Sequence, residues 1–300
     1  MKRLKTIILT VILLWLSAYI LSLILGSGNG EIISEGIAIV PIQGTIMIDS
    51  AENIFGVSGA GSDGILKNLK KAGNNKGVKA IILEINSGGG AVVASKEIAD
   101  YVKKLDKPVI AWIREVGASG AYWIAASSDV IVADEMSITG SVGVISSYLD
   151  YSGLMEQYGV KYERLVAGNL KDAGSPFREL TNEERILMEA KLNLIQDFFV
   201  RDVQESRGLN ANQVTEIRKG FFYLGVEAKD LGLVDVLGNR DTAILKAREL
   251  GNITDGSIVE YKTKKSLLDL LERFSSKIFF NMGRGIGQEL KLEEEFKILA

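Results

Sequence analysis

The 300-residue chain contains no histidine and no cysteine. Without cysteine there are no disulfides, no thiol nucleophile and no thiolate-bound metal, and the redox compartment cannot be read from cysteine usage. Without histidine the Ser-His-Asp triad and the H-E-x-x-H zinc protease are excluded, with nearly every other zinc site. The chain also lacks a G-x-x-x-x-G-K phosphate loop, an S-x-x-K pair one helical turn apart, and a D-T-G or D-S-G aspartyl signature. A formal net charge of -3 gives no reason to expect nucleic acid as a partner. Any serine that does chemistry here must be activated by something other than imidazole.

Composition is that of a globular protein, 47% apolar and 24% charged, with room for one large or two small domains. After MKRLK, residues Thr6 to Leu25 carry no charge. Twenty helical residues span about 30 Å, the thickness of a bilayer's hydrocarbon core. A cleaved signal peptide would have an apolar region of only about 7–15 residues and an A-x-A-like end, whereas LILGSG closes this one. The expectation is an uncleaved transmembrane signal anchor over 6–25, with residues 1–5 cytoplasmic because of Lys2, Arg3 and Lys5. The rest of the chain is then extracytoplasmic, on a single-pass protein of the cell membrane. Residues 26–35, containing GSGNG, form a flexible linker.

From residue 36 apolar runs alternate with helical patterns. GIAIVPIQGTI reads as a strand; KAIILEI (79–85) precedes the helical AVVASKEIADYVKKL, and PVIAWI (108–113) precedes ASGAYWIAAS. DVIVAD (129–134) and KYERLVA (161–167) read as further strands. Strands buried on both faces and separated by helices predict an α/β fold with a mostly parallel sheet. Pro108 suits the head of a strand, having no N–H for the ladder. Thr181 and Glu184 form a capping box before a long helix whose core stripe is Met188, Leu192, Ile195, Phe199 and Val203. FFYLGVEAKDLGLVDVLG, a helix near 240–250 and the strand SIVEY complete a domain over 36–262. The tail, 263–300, has apolar residues at 267, 271, 274 and 278 and reads as an amphipathic helix.

Gly59, Gly61 and Gly64 match G-x-G-x-x-G, with Glu84 twenty residues on. The dinucleotide fingerprint needs a strand directly before its first glycine, and FGVSGAGSDG is polar, so no cofactor is expected. INSGGG (85–90) lies between a strand and a helix. It is either a tight turn or a place where backbone N–H groups face an anion or oxyanion. Ser119, in GASGA, follows the next strand and opens the next helix, at the same sheet edge where open α/β sheets bind ligands. Its flanking small residues fit close helix–sheet packing, and the Gly120 N–H beside it fits a nucleophile adjoining an oxyanion donor. A desolvated lysine is the alternative base; Lys171 lies in the small-residue segment AGNLKDAGSPFREL, but the residues alone do not distinguish it from other loop lysines.

The stretches EINSGGGAVVAS, GASGAYWIAASSDVIVA, ITGSVGV, LKDAGSPFREL and GLVDVLG, in this order, resemble the signal peptide peptidase A (protease IV) family in its short single-domain form, over about residues 36–250. The resemblance implies a ClpP/crotonase-like repeated β-β-α superhelix and a Ser-Lys serine peptidase. Ser119 is then the nucleophile and Lys171 the general base, in its K-D-x-x-S-P context. The oxyanion donors are the N–H groups of Gly90 and Gly120, and Ser141 orients the lysine amine. The family usually reads N-S-P-G-G; Gly88 stands here in place of the proline, leaving Gly89 as an alternative to Gly90. The resemblance also implies remnant signal peptides as substrates, no metal or cofactor, and a homo-oligomeric ring whose sites can draw serine and lysine from adjacent subunits. A crotonase-like acyl-CoA enzyme and a non-catalytic membrane scaffold of the same fold are the competing readings.

Overall fold

The computed structural model describes residues 10–19, 35–48 and 60–261. Residues 10–19 are helical (α1). The remainder of the expected anchor, most of the linker and the tail 263–300 lie outside the described residues, among which no helix is long and apolar enough to cross a membrane.

In chain order, β1 (Gly36–Gln43), β2 (Ile46–Met47) and β3 (Ala60–Gly61) lead into α2 (Ser62–Asn74), β4 (Val78–Ser87), α3 (Val92–Val102), β5 (Val109–Ala118), α4 (Gly120–Ala126), β6 (Val130–Ala133) and β7 (Ile138–Gly140). Then come α5 (Ser152–Gln157), α6 (Asn182–Arg207), α7 (Ala211–Ile217), β8 (Phe222–Leu224), α8 (Gly225–Asp230), β9 (Val236–Leu237), α9 (Arg240–Gly251) and β10 (Ser257–Glu260). The main sheet has the order β10-β1-β4-β5-β6-β9, parallel throughout; β7 pairs in parallel with β5 and antiparallel with β8.

Both faces of the sheet are covered, which explains the unbroken apolar runs. With side chains alternating every residue, Ala38, Val40, Ile81, Leu83, Ala111 and Ile113 join a core with residues of α2, α3 and α4. Ile37, Ile39, Ala80, Ile82 and Ile110 point the other way, against Ala243 and Ala247 of α9. Burying each large aliphatic side chain contributes about 1.5–3 kcal/mol.

The pairing of β4 with β5 sets up the functional edge. Ile85 pairs with Ile113, but the next pair is Ser87 with Gly117, so β5 bulges over Arg114–Val116. Asn86 Oδ1 spans the gap by accepting from the Val116 N–H (3.2 Å). Beyond the bulge β5 leaves β6 and pairs with β7 instead, Ala118 opposite Gly140. The strand thus runs five residues past the end of PVIAWI and delivers Ser119 directly. Pro108 precedes it, as expected.

Two expectations change. KYERLVA forms no strand: residues 161–167 are exposed and find no ladder partner among the described residues. They belong to a long excursion between β7 and α6 whose only regular element is α5. The capping box holds, with Thr181 Oγ1 accepting from the Glu184 N–H (3.2 Å), but the α6 stripe is graded. Phe199 and Val203 are buried, while Met188, Leu192 and Ile195 are only half-buried because the first half of the helix overhangs the domain. Of the G-x-G-x-x-G stretch, Gly61 is the N-cap residue of α2, and Glu84, twenty residues on from Gly64, is ion-paired with Arg114 (2.9 Å).

Leu83 is fully buried in the central strand. Leu83→Ala is expected to destabilise the fold by about 2–5 kcal/mol, read from the denaturant midpoint; a loss under about 1 kcal/mol would mean this layer is not close-packed.

Candidate active site

The INSGGG turn is built from its own polar side chains. Ser87 Oγ donates to the Gly44 carbonyl (2.6 Å) and accepts from the Gly89 N–H (3.1 Å). Ile46 N–H donates to Gly89 O (3.0 Å) and Ala91 N–H donates to Ile46 O (2.8 Å). The Gly89 N–H is therefore occupied, whereas the Gly90 N–H finds no acceptor among the described residues. Only glycine fits at 90, since a Cβ there would lie 2.0 Å from the Ile46 carbonyl oxygen.

Ser119 terminates β5 by donating its N–H to Gly140 O (2.8 Å) and starts α4 by accepting from the Trp123 N–H (3.0 Å). Doing both forces a sharp reversal. Ser119 adopts φ 53°, ψ -126°, a conformation that costs an L-residue about 1–3 kcal/mol. The Gly120 N–H is the first of the unpaired donors at the start of α4. The glycine turn lies against this reversal: a Cβ at Gly89 would stand 2.7 Å from Gly120 N and 3.0 Å from Ser119 Cβ. A Cβ at Gly120 would meet Ser95 Oγ at 2.2 Å and Gly90 N at 3.4 Å. The packing reading and the chemical reading of GASGA are thus compatible. Close packing of small residues brings two free N–H donors beside one hydroxyl.

Ser141 is a second serine at positive φ (52°). Its N–H donates to Phe221 O (3.0 Å) and its hydroxyl to Gly220 O (3.4 Å). Gly90, Ser119, Gly120 and Ser141 all line one cleft of about 450 Å³. Val92, Trp123, Val144, Leu192 and Phe199 supply its apolar wall. Trp123 stacks on Phe199 at 4.4 Å and donates its indole N–H to Asp202 (3.1 Å), so this wall is rigid. Among the described residues no cluster of three acidic side chains is placed to hold a metal ion.

Lys171 does not line this cleft within the chain. It is exposed on the excursion, in the turn that follows Gly168. The lysine that does line the cleft is Lys219, which the sequence reading did not single out; its ammonium pairs with Glu216 at 2.5 Å. No spacing marks Lys219 in the sequence, because the Gly143–Gly220 approach that brings it in joins segments far apart in the chain. Beside Lys171, two guanidinium groups, Arg164 first and Arg178 second, hold the Asp172 carboxyl well below the usual carboxylate range. Glu184 is lowered to about 2 by Arg178 and by the Thr181 N–H. Both carboxylates are therefore charged at neutral pH. Their contribution to stability is complete above about pH 4.5 and is lost as pH falls through the lowered folded-state values, about 2 for Glu184.

Residues 102–254 match the family model of peptidase family S49. The chain is 38% identical over 230 residues to a "putative protease" of Methanocaldococcus jannaschii, covering 75% of this chain and 72% of that one. It is 36% identical over 240 residues to a "putative signal peptide peptidase" of Enterococcus faecium, covering 79% and 68%. Against "Protease 4" of Haemophilus influenzae the identity is 32% over 227 residues, which span 75% of this chain but 36% of the relative. An α/β frame with a serine-lined cleft at the carboxyl edge of its parallel strands thus has its relatives among proteases. The chain belongs to peptidase family S49.

Gly120→Ala forces a Cβ onto Ser95 Oγ and displaces the Gly120 N–H. Peptide hydrolysis is expected to fall about 10²–10³-fold, the usual effect of losing one oxyanion donor. Steady-state kcat on a leucine-rich peptide checks this; a loss under about threefold would remove Gly120 from the oxyanion site.

Proposed function

We propose that this protease is a membrane-anchored serine endopeptidase with a Ser-Lys dyad, Ser119 as nucleophile and Lys171 as general base. The observation that carries the reading is Ser119 itself, held at positive φ beside the free N–H groups of Gly90 and Gly120. Neutral Lys171 accepts the Ser119 hydroxyl proton as Oγ attacks the scissile carbonyl. The two N–H groups receive the developing oxyanion. The lysine then returns the proton to the leaving amine, and an acyl-enzyme remains. Water, deprotonated by the same lysine, releases the second product and regenerates the serine. Ser141, which lines the same cleft, orients the amine. Gly90 is preferred to Gly89 as donor because the Gly89 N–H is engaged by Ser87.

The anchor (6–25) and linker (26–35) tether to the bilayer an extracytoplasmic peptidase domain (36–262) with the ClpP/crotonase-like superhelix, followed by the amphipathic tail (263–300). Its apolar cleft wall suits remnant signal peptides and other apolar segments. A mere scaffold would not need a strained serine.

The base is supplied by a neighbouring subunit of a homo-oligomeric ring. Two observations support this. Lys171 lies off its own chain's cleft, and the excursion that carries it exposes apolar side chains such as Ile145, Leu149 and Leu165. The in-chain alternative is Lys219, favoured by its position in the cleft but opposed by its ion pair with Glu216.

Ser119→Ala and Lys171→Ala are each expected to abolish hydrolysis, with Lys219→Ala retaining most of it; the reverse ranking of the two lysines would move the base to Lys219. Co-assembling the two dead variants should restore part of the activity, since some sites then hold both an intact serine and an intact lysine. No recovery from subunits that demonstrably exchange would place the dyad within one chain. With a lysine base, kcat should rise toward alkaline pH, and a profile that falls above neutrality would count against the assignment.

A further inference from the structure

The loop that carries Lys171 has no helix or strand to hold it. Residues 168–177 contain only turns, yet the position of a general base must be fixed closely for proton transfer. What holds the loop is a chain of four charged side chains. Arg164 grips Asp172 with both arms of its guanidinium, Nε to Oδ2 and Nη2 to Oδ1, each at 2.7 Å. The same Nη2 donates to the Asn169 carbonyl (2.8 Å). Arg178 grips Asp172 from the other side, Nε to Oδ2 and Nη2 to Oδ1, each at 3.1 Å. Arg178 also donates to Glu184 at 2.9 and 2.5 Å. Glu184 is buried in the first turn of α6, where it accepts from the Thr181 N–H (3.0 Å). Lys171 therefore sits between two anchored neighbours, Asn169 and Asp172, and the anchor runs back to the start of the longest helix.

The geometry has a second consequence. A carboxylate offers about four lone-pair positions, and here two guanidinium groups occupy two on each Asp172 oxygen. Asp172 is charged but saturated. Left open, a carboxylate one residue from a lysine would pair with its ammonium and hold the proton there. Arg164 and Arg178 are the charged groups facing Asp172, and Glu184 faces Arg178 on its far side. Among the described residues Lys171 itself makes no ion pair.

We propose that Arg164 and Arg178 are positioning residues for catalysis: their double clamp on Asp172 fixes the Lys171 loop and keeps that carboxylate from capturing the lysine's ammonium. This rests on the assignment of Lys171 as the base. The mechanism is local, and it holds whether the lysine serves its own chain or a neighbour's.

The test uses the full-length protein in detergent, with kcat, KM and the pH dependence of kcat measured on a leucine-rich peptide. Arg164→Gln opens half of the Asp172 lone pairs. It should lower kcat at pH 7 by about tenfold or more while KM changes less than about threefold, and activity should recover at higher pH. Adding Asp172→Asn should bring the profile back toward wild type, because no charge remains to compete for the ammonium. Arg164→Lys, which keeps the charge and loses the fork, should be intermediate and provides the reading if Arg164→Gln does not fold. An unchanged kcat–pH profile in the folded Arg164 variants, or a loss that neither alkaline pH nor Asp172→Asn relieves, overturns the proposal. Lys171→Ala, run alongside, separates the two readings. If it remains active the base assignment is wrong; if it is dead while the Arg164 variants behave as wild type, the base stands and the clamp falls.

Discussion

The structure turns on one backbone contact: the glycine turn after β4 pressed against the reversal at Ser119 after β5. Parallel pairing puts the two strand ends at the same edge of the sheet, but pairing alone would leave them side by side at strand spacing. The bulge at Arg114–Val116 lets β5 run on past β6, and Asn86 repairs the ladder where it opens. The turn can then close onto the start of α4 to within 3.4 Å of where a side chain at Gly120 would begin. Neither N–H donor is a side chain that could rotate away. Both belong to a rigid frame sealed by two layers of aliphatic core.

That frame also carries strain. Ser119 and Ser141 both occupy positive φ, and they are neighbours through the pairing of Ala118 with Gly140. Such conformations persist only where the surroundings over-determine them. Here the Ser119 N–H is committed to β7, its carbonyl to α4, and the Ser141 N–H to Phe221. The sheet bonds that continue past each serine hold it in a conformation it would not choose. A hydroxyl is thereby lifted out of the sheet edge toward the cleft.

The excursion between β7 and α6 follows different physics. It exposes apolar side chains and has almost no backbone ladder, and it is organised around Asp172 by ionic forks. The frame is held by hydrogen-bonded backbone and close packing; the excursion is held at Asp172 by ion pairs with Arg164 and Arg178. This division explains why Ser119 stands in a cleft built by its own chain while Lys171 does not line that cleft.

Much of the frame could be read from the residues. Unbroken apolar runs alternating with helical patterns marked β1, β4, β5 and β6, and the capping box marked the start of α6. The carboxyl-edge location of INSGGG and Ser119 followed from parallel topology alone. KYERLVA misled because an apolar stretch becomes a strand only where it meets another strand's edge, and residues 161–167 find no ladder partner among the described residues. The bulge, the saturation of Asp172 and the entry of Lys219 into the cleft have no local signature. Each depends on segments distant in sequence meeting at a particular register. Sequence determined which residue types stand at the sheet edge, because side-chain alternation and helix caps are local. Tertiary structure decided which N–H groups are left without a partner, because that depends on where every other donor and acceptor goes.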